Sequence, residues 1–182
     1  MGKVFAVGVG PGSHDCVTEI VKKIILFGIG VMTLLLVTGC ETTDKQLEAN
    51  LEMYGRVWHN ALNNDDWTEV NEDNFDKNVT LVVQPENIVG VQSVKDYYKN
   101  YVTGFSDRSF TIVDLFGQGD KIVKHWNFKG THTGNFFGIP PTGRKLDLSG
   151  VTLIKMKDGK IAQEHDIFDN LSFLKQLGIP TD

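Results

Sequence analysis

The chain has 182 residues, 41% of them hydrophobic, with a formal net charge of -5 and a pI near 5.5. That length and apolar content suit one ordinary core, and the acidic balance offers no basic footprint for nucleic acid. The two cysteines, Cys16 and Cys40, imply no disulfide framework, and CxxC metal or redox patterns are absent.

Residues 1–20 contain Gly2-Lys3-Val4-Phe5-Ala6-Val7-Gly8-Val9-Gly10-Pro11-Gly12, which looks like the first strand and glycine-rich loop of tetrapyrrole methylases. Such a loop needs an α/β domain behind it and none follows, so the segment reads as an upstream remnant without a function. Lys22 and Lys23 then precede the apolar run from Ile24 to Val37. The run is short for a membrane-spanning helix, and a basic stretch followed by a short apolar one is the pattern of a signal peptide. Val37-Thr38-Gly39-Cys40 resembles a bacterial lipobox, in which small residues suit the peptidase and the cysteine thiol carries the lipid. The expectation is a signal peptide over 21–39, a lipidated Cys40 with a polar linker over 40–46, and a domain over 47–182 held at the bacterial cell envelope, outside the cytoplasm, by its lipid. The plainer alternative is a buried helix with a chance cysteine.

Within the domain, Leu47, Leu51, Tyr54, Trp58 and Leu62 recur every three or four residues and predict one helix of about four turns. Asn63 to Asp66 end it and predict a cap for a short second helix through Trp67 and Val70. Val79 to Val83 is β-branched and reads as a strand stopped by Pro85. Val91, Val94, Tyr97 or Tyr98, and Tyr101 predict a third helix that Gly104 closes. From Arg108 the period changes to two, giving strands near 110–116, 121–132, 145–156 and 160–167 with turns at Gln118-Gly119-Asp120 and Asp158-Gly159. Helices first and long antiparallel strands after make an α+β domain.

Four motifs stand in order along the second half: Gly130-Thr131-His132-Thr133-Gly134-Asn135-Phe136-Phe137-Gly138-Ile139-Pro140-Pro141-Thr142-Gly143-Arg144, then Met156-Lys157-Asp158-Gly159-Lys160-Ile161, then Asp166-Ile167-Phe168-Asp169, and Gln176-Leu177-Gly178. Together they resemble the SnoaL-like polyketide cyclase family of the NTF2-like superfamily. The resemblance is strong from about Trp126 to Gly178 and weaker from about Leu47 to Phe116. It implies a cone in which a curved antiparallel sheet and the helices enclose an apolar pocket, with dimerisation through the outer sheet face. It also implies ring closure by intramolecular aldol condensation, an aspartate as acid and base, and no cofactor or metal. The position of His165 is commonly tryptophan in the family, so this chain departs from the pattern there.

Two readings of function stay open: a cyclase-like enzyme acting on a small hydrophobic carbonyl compound, and a membrane-anchored module that only binds such a molecule. Trp126, Phe128 and His132 share a strand face, an aromatic wall leading to an imidazole that serves either a ligand or the core. Tyr54, Trp58 and Phe136 are the other expected pocket residues. His125, on the opposite face beside Lys124 and Asn127, is expected in solvent. The proline-containing stretch 138–143 must be a loop, either a rim over the pocket or a plain connection, and Arg144 beside it could meet an anionic group or form a surface ion pair. A two-residue Asp158-Gly159 turn would put Ile161, Gln163 and His165 on the inner face and, by continued alternation, Asp169 inward and Asp166 outward, unless a bulge reverses them. The alternation and the motif of the family this chain resembles both point to Asp169 as the first candidate base, with Asp166 the second and His132 or His165 as the donor to a carbonyl. A helix N-cap is the competing role for Asp169. The histidines show no metal-ligand spacing, and no serine or cysteine nucleophile motif is present.

Overall fold

A computed structural model describes the backbone of residues 38–180 and the side chains from Lys45 onward. The glycine-rich upstream segment, the signal-peptide run and the Cys40 side chain lie outside the described residues. Helix α1 spans Thr38–Asn64, β1 Phe75–Leu81, β2 Ile88–Val89, α2 Val91–Gly104, β3 Phe105–Gln118, β4 Lys121–His132, β5 Lys145–Lys157, β6 Lys160–Phe168 and α3 Asn170–Leu177. The six strands form one sheet in the order β2-β1-β6-β5-β4-β3. Strands β3 to β6 make an antiparallel meander, and β1 adds to β6 in parallel.

The apolar stripe of α1 buries Tyr54, Val57, Trp58, Ala61 and Leu62 against the sheet. Each large side chain so buried contributes about 1.5–3 kcal/mol. The helix already runs through the polar segment 41–46 expected as a linker, so its first turns lie there. The short second helix expected through Trp67 and Val70 does not form. Asp66 Oδ1 instead accepts from the Thr68 backbone N–H at 3.0 Å and hydroxyl at 2.7 Å, and Trp67 Nε1 donates to Asp65 Oδ1 at 2.6 Å, so these acidic side chains close turns.

On β4 every second residue from Ile122 to His132 is buried, and β5 matches it from Leu146 to Met156. Gly150 interrupts the side chains of β5 because the Trp126 ring lies across it; a Cβ there would stand 2.4 Å from Trp126 Cζ2. The β5–β6 turn has positive φ at both Asp158 and Gly159, as a two-residue hairpin requires, and Lys157 pairs with Lys160. One step further the alternation breaks. Met156 pairs with Ile161 but Lys155 pairs with Gln163, so Ala162 is an extra residue in β6. This bulge turns Glu164, Asp166 and Phe168 inward and Gln163 and His165 outward, correcting the regular alternation.

Candidate functional site

Between the helices and the inner sheet face lies a cavity of about 30 Å³ lined by Leu62 of α1, Tyr98 and Tyr101 of α2, Phe110 of β3, Lys124, Trp126 and Phe128 of β4, and Asp166 of β6. Its walls are mostly rings: Tyr101 meets Phe128 edge-on at 5.6 Å, and Phe110 and Trp126 lie 6.4 Å apart. Asp166 is the one carboxylate among the lining residues. Tyr98 Oη donates to its Oδ2 at 2.7 Å and Thr152 Oγ1 donates to its Oδ1, while Trp126 Nε1 donates to Thr152 Oγ1 at 3.0 Å. Three elements thus fix this carboxylate, which still has lone pairs for a ligand.

Beneath the cavity sits a second acidic group. Glu164 is fully buried, and its Oε1 accepts from the Tyr54 hydroxyl and from Trp58 Nε1 at 3.0 Å, whereas Oε2 has no partner among the described residues. Burial, and then the field of Asp166, push its pKa up to about 7 against the pull of Lys124 and the two hydrogen bonds. Burial in turn lowers the pKa of Lys124. Burial also holds the Tyr98 and Tyr101 hydroxyls well above their ordinary value, so both remain protonated donors at neutral pH.

The residues singled out from sequence are dispersed around this centre. Trp126 and Phe128 line the cavity; Tyr54 and Trp58 lie behind it as donors to Glu164; Phe136 backs Tyr101 at 5.0 Å. Asp169 is exposed and turned away, its Oδ1 accepting from the Ser172 backbone N–H at 3.0 Å as the N-cap of α3. His165 pairs with Leu153 on the outer face, and His125 is outside too, 3.5 Å from Asp114. Arg144 packs over Gly178 at the C-terminus of α3, away from the cavity. Glu164, Lys124, Tyr98, Tyr101 and Thr152 were not read as site residues from sequence, and Lys124, expected beside His125 on the outer face, stands instead in the inner row with Trp126 because it shares that residue's strand parity.

His132 is fully buried between Phe105 at 5.2 Å and Phe136 at 6.2 Å. Its Nδ1 lies 3.1 Å from Thr142 Oγ1 and accepts from the Thr142 backbone N–H at 3.4 Å, which ties the 133–144 loop down; Nε2 has no partner among the described residues. Burial lowers its pKa below 6.5, with the Gly134 backbone opposing. A depressed folded pKa means the contribution of neutral His132 is complete above about pH 6.5 and is lost as pH falls through the folded value. The expected outcome is that wild type loses stability relative to His132→Gln as pH drops below that point, read as the difference between their thermal unfolding curves.

Among the described residues no group of three or more His, Cys, Asp or Glu side chains converges as a metal site. What the fold defines is a curved α+β half-cone with a ring-lined cavity and, among the described residues, a single carboxylate in its wall. The model of the SnoaL-like polyketide cyclase family matches residues 50–177, and the chain belongs to that family. It is 43% identical over 51 residues to aklanonic acid methyl ester cyclase DnrD of Streptomyces peucetius, covering 28% of this chain and 35% of that protein. Over 51 residues it is 41% identical to nogalonic acid methyl ester cyclase of Streptomyces nogalater, covering 28% and 38%. The matches thus span little more than a third of these curated relatives. Among solved structures, a SnoaL-like polyketide cyclase candidate from Jannaschia Sp. CCS1 superposes with a TM-score of 0.67 at 18% identity, over 85% of this chain and all of that one. TsrD from Streptomyces laurentii gives 0.64 at 25% identity, over 72% and 97%.

Proposed function

We propose that the domain is an enzyme that takes a proton from the carbon beside a carbonyl group, with Asp166 as the base. The observation that carries this reading is the Asp166 carboxylate, held by Tyr98 and Thr152 in the wall of a cavity otherwise made mainly of rings. A base in this position meets the α-hydrogen of a bound carbonyl compound, and the Tyr101 hydroxyl, kept protonated by burial, donates to the developing enolate oxygen. The enolate carbon then attacks a second carbonyl of the same molecule, and the proton held by Asp166 returns to the product oxygen. Ring closure is the activity named for the cyclases this chain resembles. The test is exchange of α-hydrogens for solvent deuterium, followed by NMR, across small aldehydes, ketones and β-keto esters. Exchange above the buffer rate supports the reading; a panel without exchange contradicts it and leaves a binding module.

Two further properties belong to the same proposal. The lipobox-like Val37 to Cys40 supports anchoring of the domain to a membrane through a lipid on Cys40. Stable anchoring takes two or more acyl chains, each methylene adding roughly 0.8 kcal/mol. Cys40→Ser is expected to move the protein from the membrane to the soluble fraction of a bacterial lysate, and a variant that stays membrane-bound and unprocessed contradicts the lipid anchor. A homodimer through the outer sheet face is supported by a row across that face, Phe116, Val123 and Leu153, with Ile167 beside it; Phe116 is 48%, Leu153 45% and Ile167 47% exposed. Leu153→Glu is then expected to halve the mass seen by light scattering, whereas a monomeric wild type sinks the dimer.

A further inference from the structure

Lys124 is the cavity group to which proton transfer assigns no task. It is 3% exposed, stands in the inner row of β4 with Trp126 and Phe128, and forms part of the cavity wall together with Asp166. Its Nζ lies over three aromatic faces, 5.1 Å from the Tyr54 ring centre, 5.4 Å from Trp58 and 5.3 Å from Phe110. A buried lysine ordinarily takes a carboxylate partner, yet among the described residues no carboxylate oxygen comes within 4.0 Å of this one. The two acids that face it from β6 take their hydrogen bonds from other groups: Glu164 Oε1 receives Tyr54 and Trp58, and Asp166 receives Tyr98 and Thr152.

We propose that Lys124 captures the carbonyl carbon of a small aldehyde or ketone in this cavity as a Schiff base. The inference rests on the proton-transfer reading and names the substrate class of the same site. Burial lowers the pKa of Lys124, with Asp166 and Glu164 opposing, and a desolvated lysine with a free lone pair is a nucleophile. Glu164, pushed up to about 7, is partly protonated at neutral pH and so holds the ammonium form less firmly than an ordinary carboxylate would. The room of about 30 Å³ takes roughly two or three water-sized groups, which fits a carbonyl with one or two further carbons or the end of a longer chain.

In the step itself the Nζ lone pair adds to the carbonyl carbon as the C=O π pair moves to oxygen, and the nitrogen passes a proton to that oxygen to give a carbinolamine. The hydroxyl leaves with a second proton as water, and a C=N bond to Nζ remains. Amine and carbonyl become imine and water, with no oxidant or reductant. Protonated, the imine acidifies the adjacent C–H more than the carbonyl did, and Asp166 shares the same cavity to take that proton.

The experiment treats the full chain with acetaldehyde and sodium cyanoborohydride at neutral pH, which fixes an imine as ethyl-lysine, and locates the modified lysines by peptide mass mapping over time. Lys124 is expected to react faster than the exposed Lys129 and Lys157, because burial lowers its pKa and so raises its free-amine fraction, and because the cavity holds the aldehyde beside it. Lys124→Met is expected to abolish the fast phase. If Lys124 in the wild-type protein stays unmodified, or reacts no faster than those two, the proposal is overturned whatever the variant does. α-Hydrogen exchange that depends on Asp166 while Lys124 stays unmodified would sink the imine and leave proton transfer standing; a wild type with neither exchange nor capture sinks both.

Discussion

Glu164→Gln is expected to be more stable than the wild-type protein at pH 8 and about equal to it near pH 4. Glu164 is fully buried, and its pKa rises from 4.5 to about 7 on folding. The fold therefore prefers the neutral acid. The preference is fully present below pH 4.5 and is lost as pH rises to about 7, after which the penalty is constant. A shift of that size corresponds to a penalty of about 3 kcal/mol. Glutamine keeps an oxygen to accept from Tyr54 and Trp58 and puts a neutral group where Oε2 lacks a partner among the described residues. The difference between variant and wild type, from denaturant unfolding at several pH values, should open between pH 4.5 and 7 in favour of the variant. His132 titrates in an overlapping window with the opposite sign, so the comparison must be of differences and not of one protein's pH curve. Parallel curves would show that Glu164 does not change its protonation on folding.

The sequence carries the fold further than it carries the site. The alternation from Lys121 to His132 is local and strong, and β4 has those same ends. Helix α2 and the Asp158-Gly159 turn are equally local, one set by apolar spacing and the other by residues that tolerate positive φ. The inner face of β6 is not local. It depends on the extra residue Ala162, which is set by how β6 pairs with β5 on one side and β1 on the other, and nothing in Ile161-Ala162-Gln163 announces it. One unpaired residue exchanged the faces of Asp166 and His165 and hid Glu164 from the alternation. Asp169 looked like a pocket acid because the strand was extended through it, whereas β6 ends at Phe168 and the next backbone amides needed a cap. Lys124 was set beside the outward His125 because a lysine is rarely fully buried, yet strand parity puts it in the inner row with Trp126 and Phe128.

Asp166→Asn carries the largest expected effect on activity. Asparagine retains the volume and an oxygen to accept from Tyr98 or Thr152, but it cannot take a proton from carbon. A positioned base of this kind contributes about 10²–10⁴-fold, so α-hydrogen exchange should fall by that factor while affinity for the same compound, set by the ring walls, changes little. Asp169→Asn supplies the control, because asparagine also serves as an N-cap and its position is exposed. The decisive measurement is the ratio of deuterium-exchange rates of the two variants on one carbonyl substrate, at matched folding and binding. Exchange about 10²-fold or more slower in Asp166→Asn than in Asp169→Asn is the predicted result; equal rates, or the larger loss at Asp169, would contradict Asp166 as the base and the inward turn of β6 on which that assignment stands.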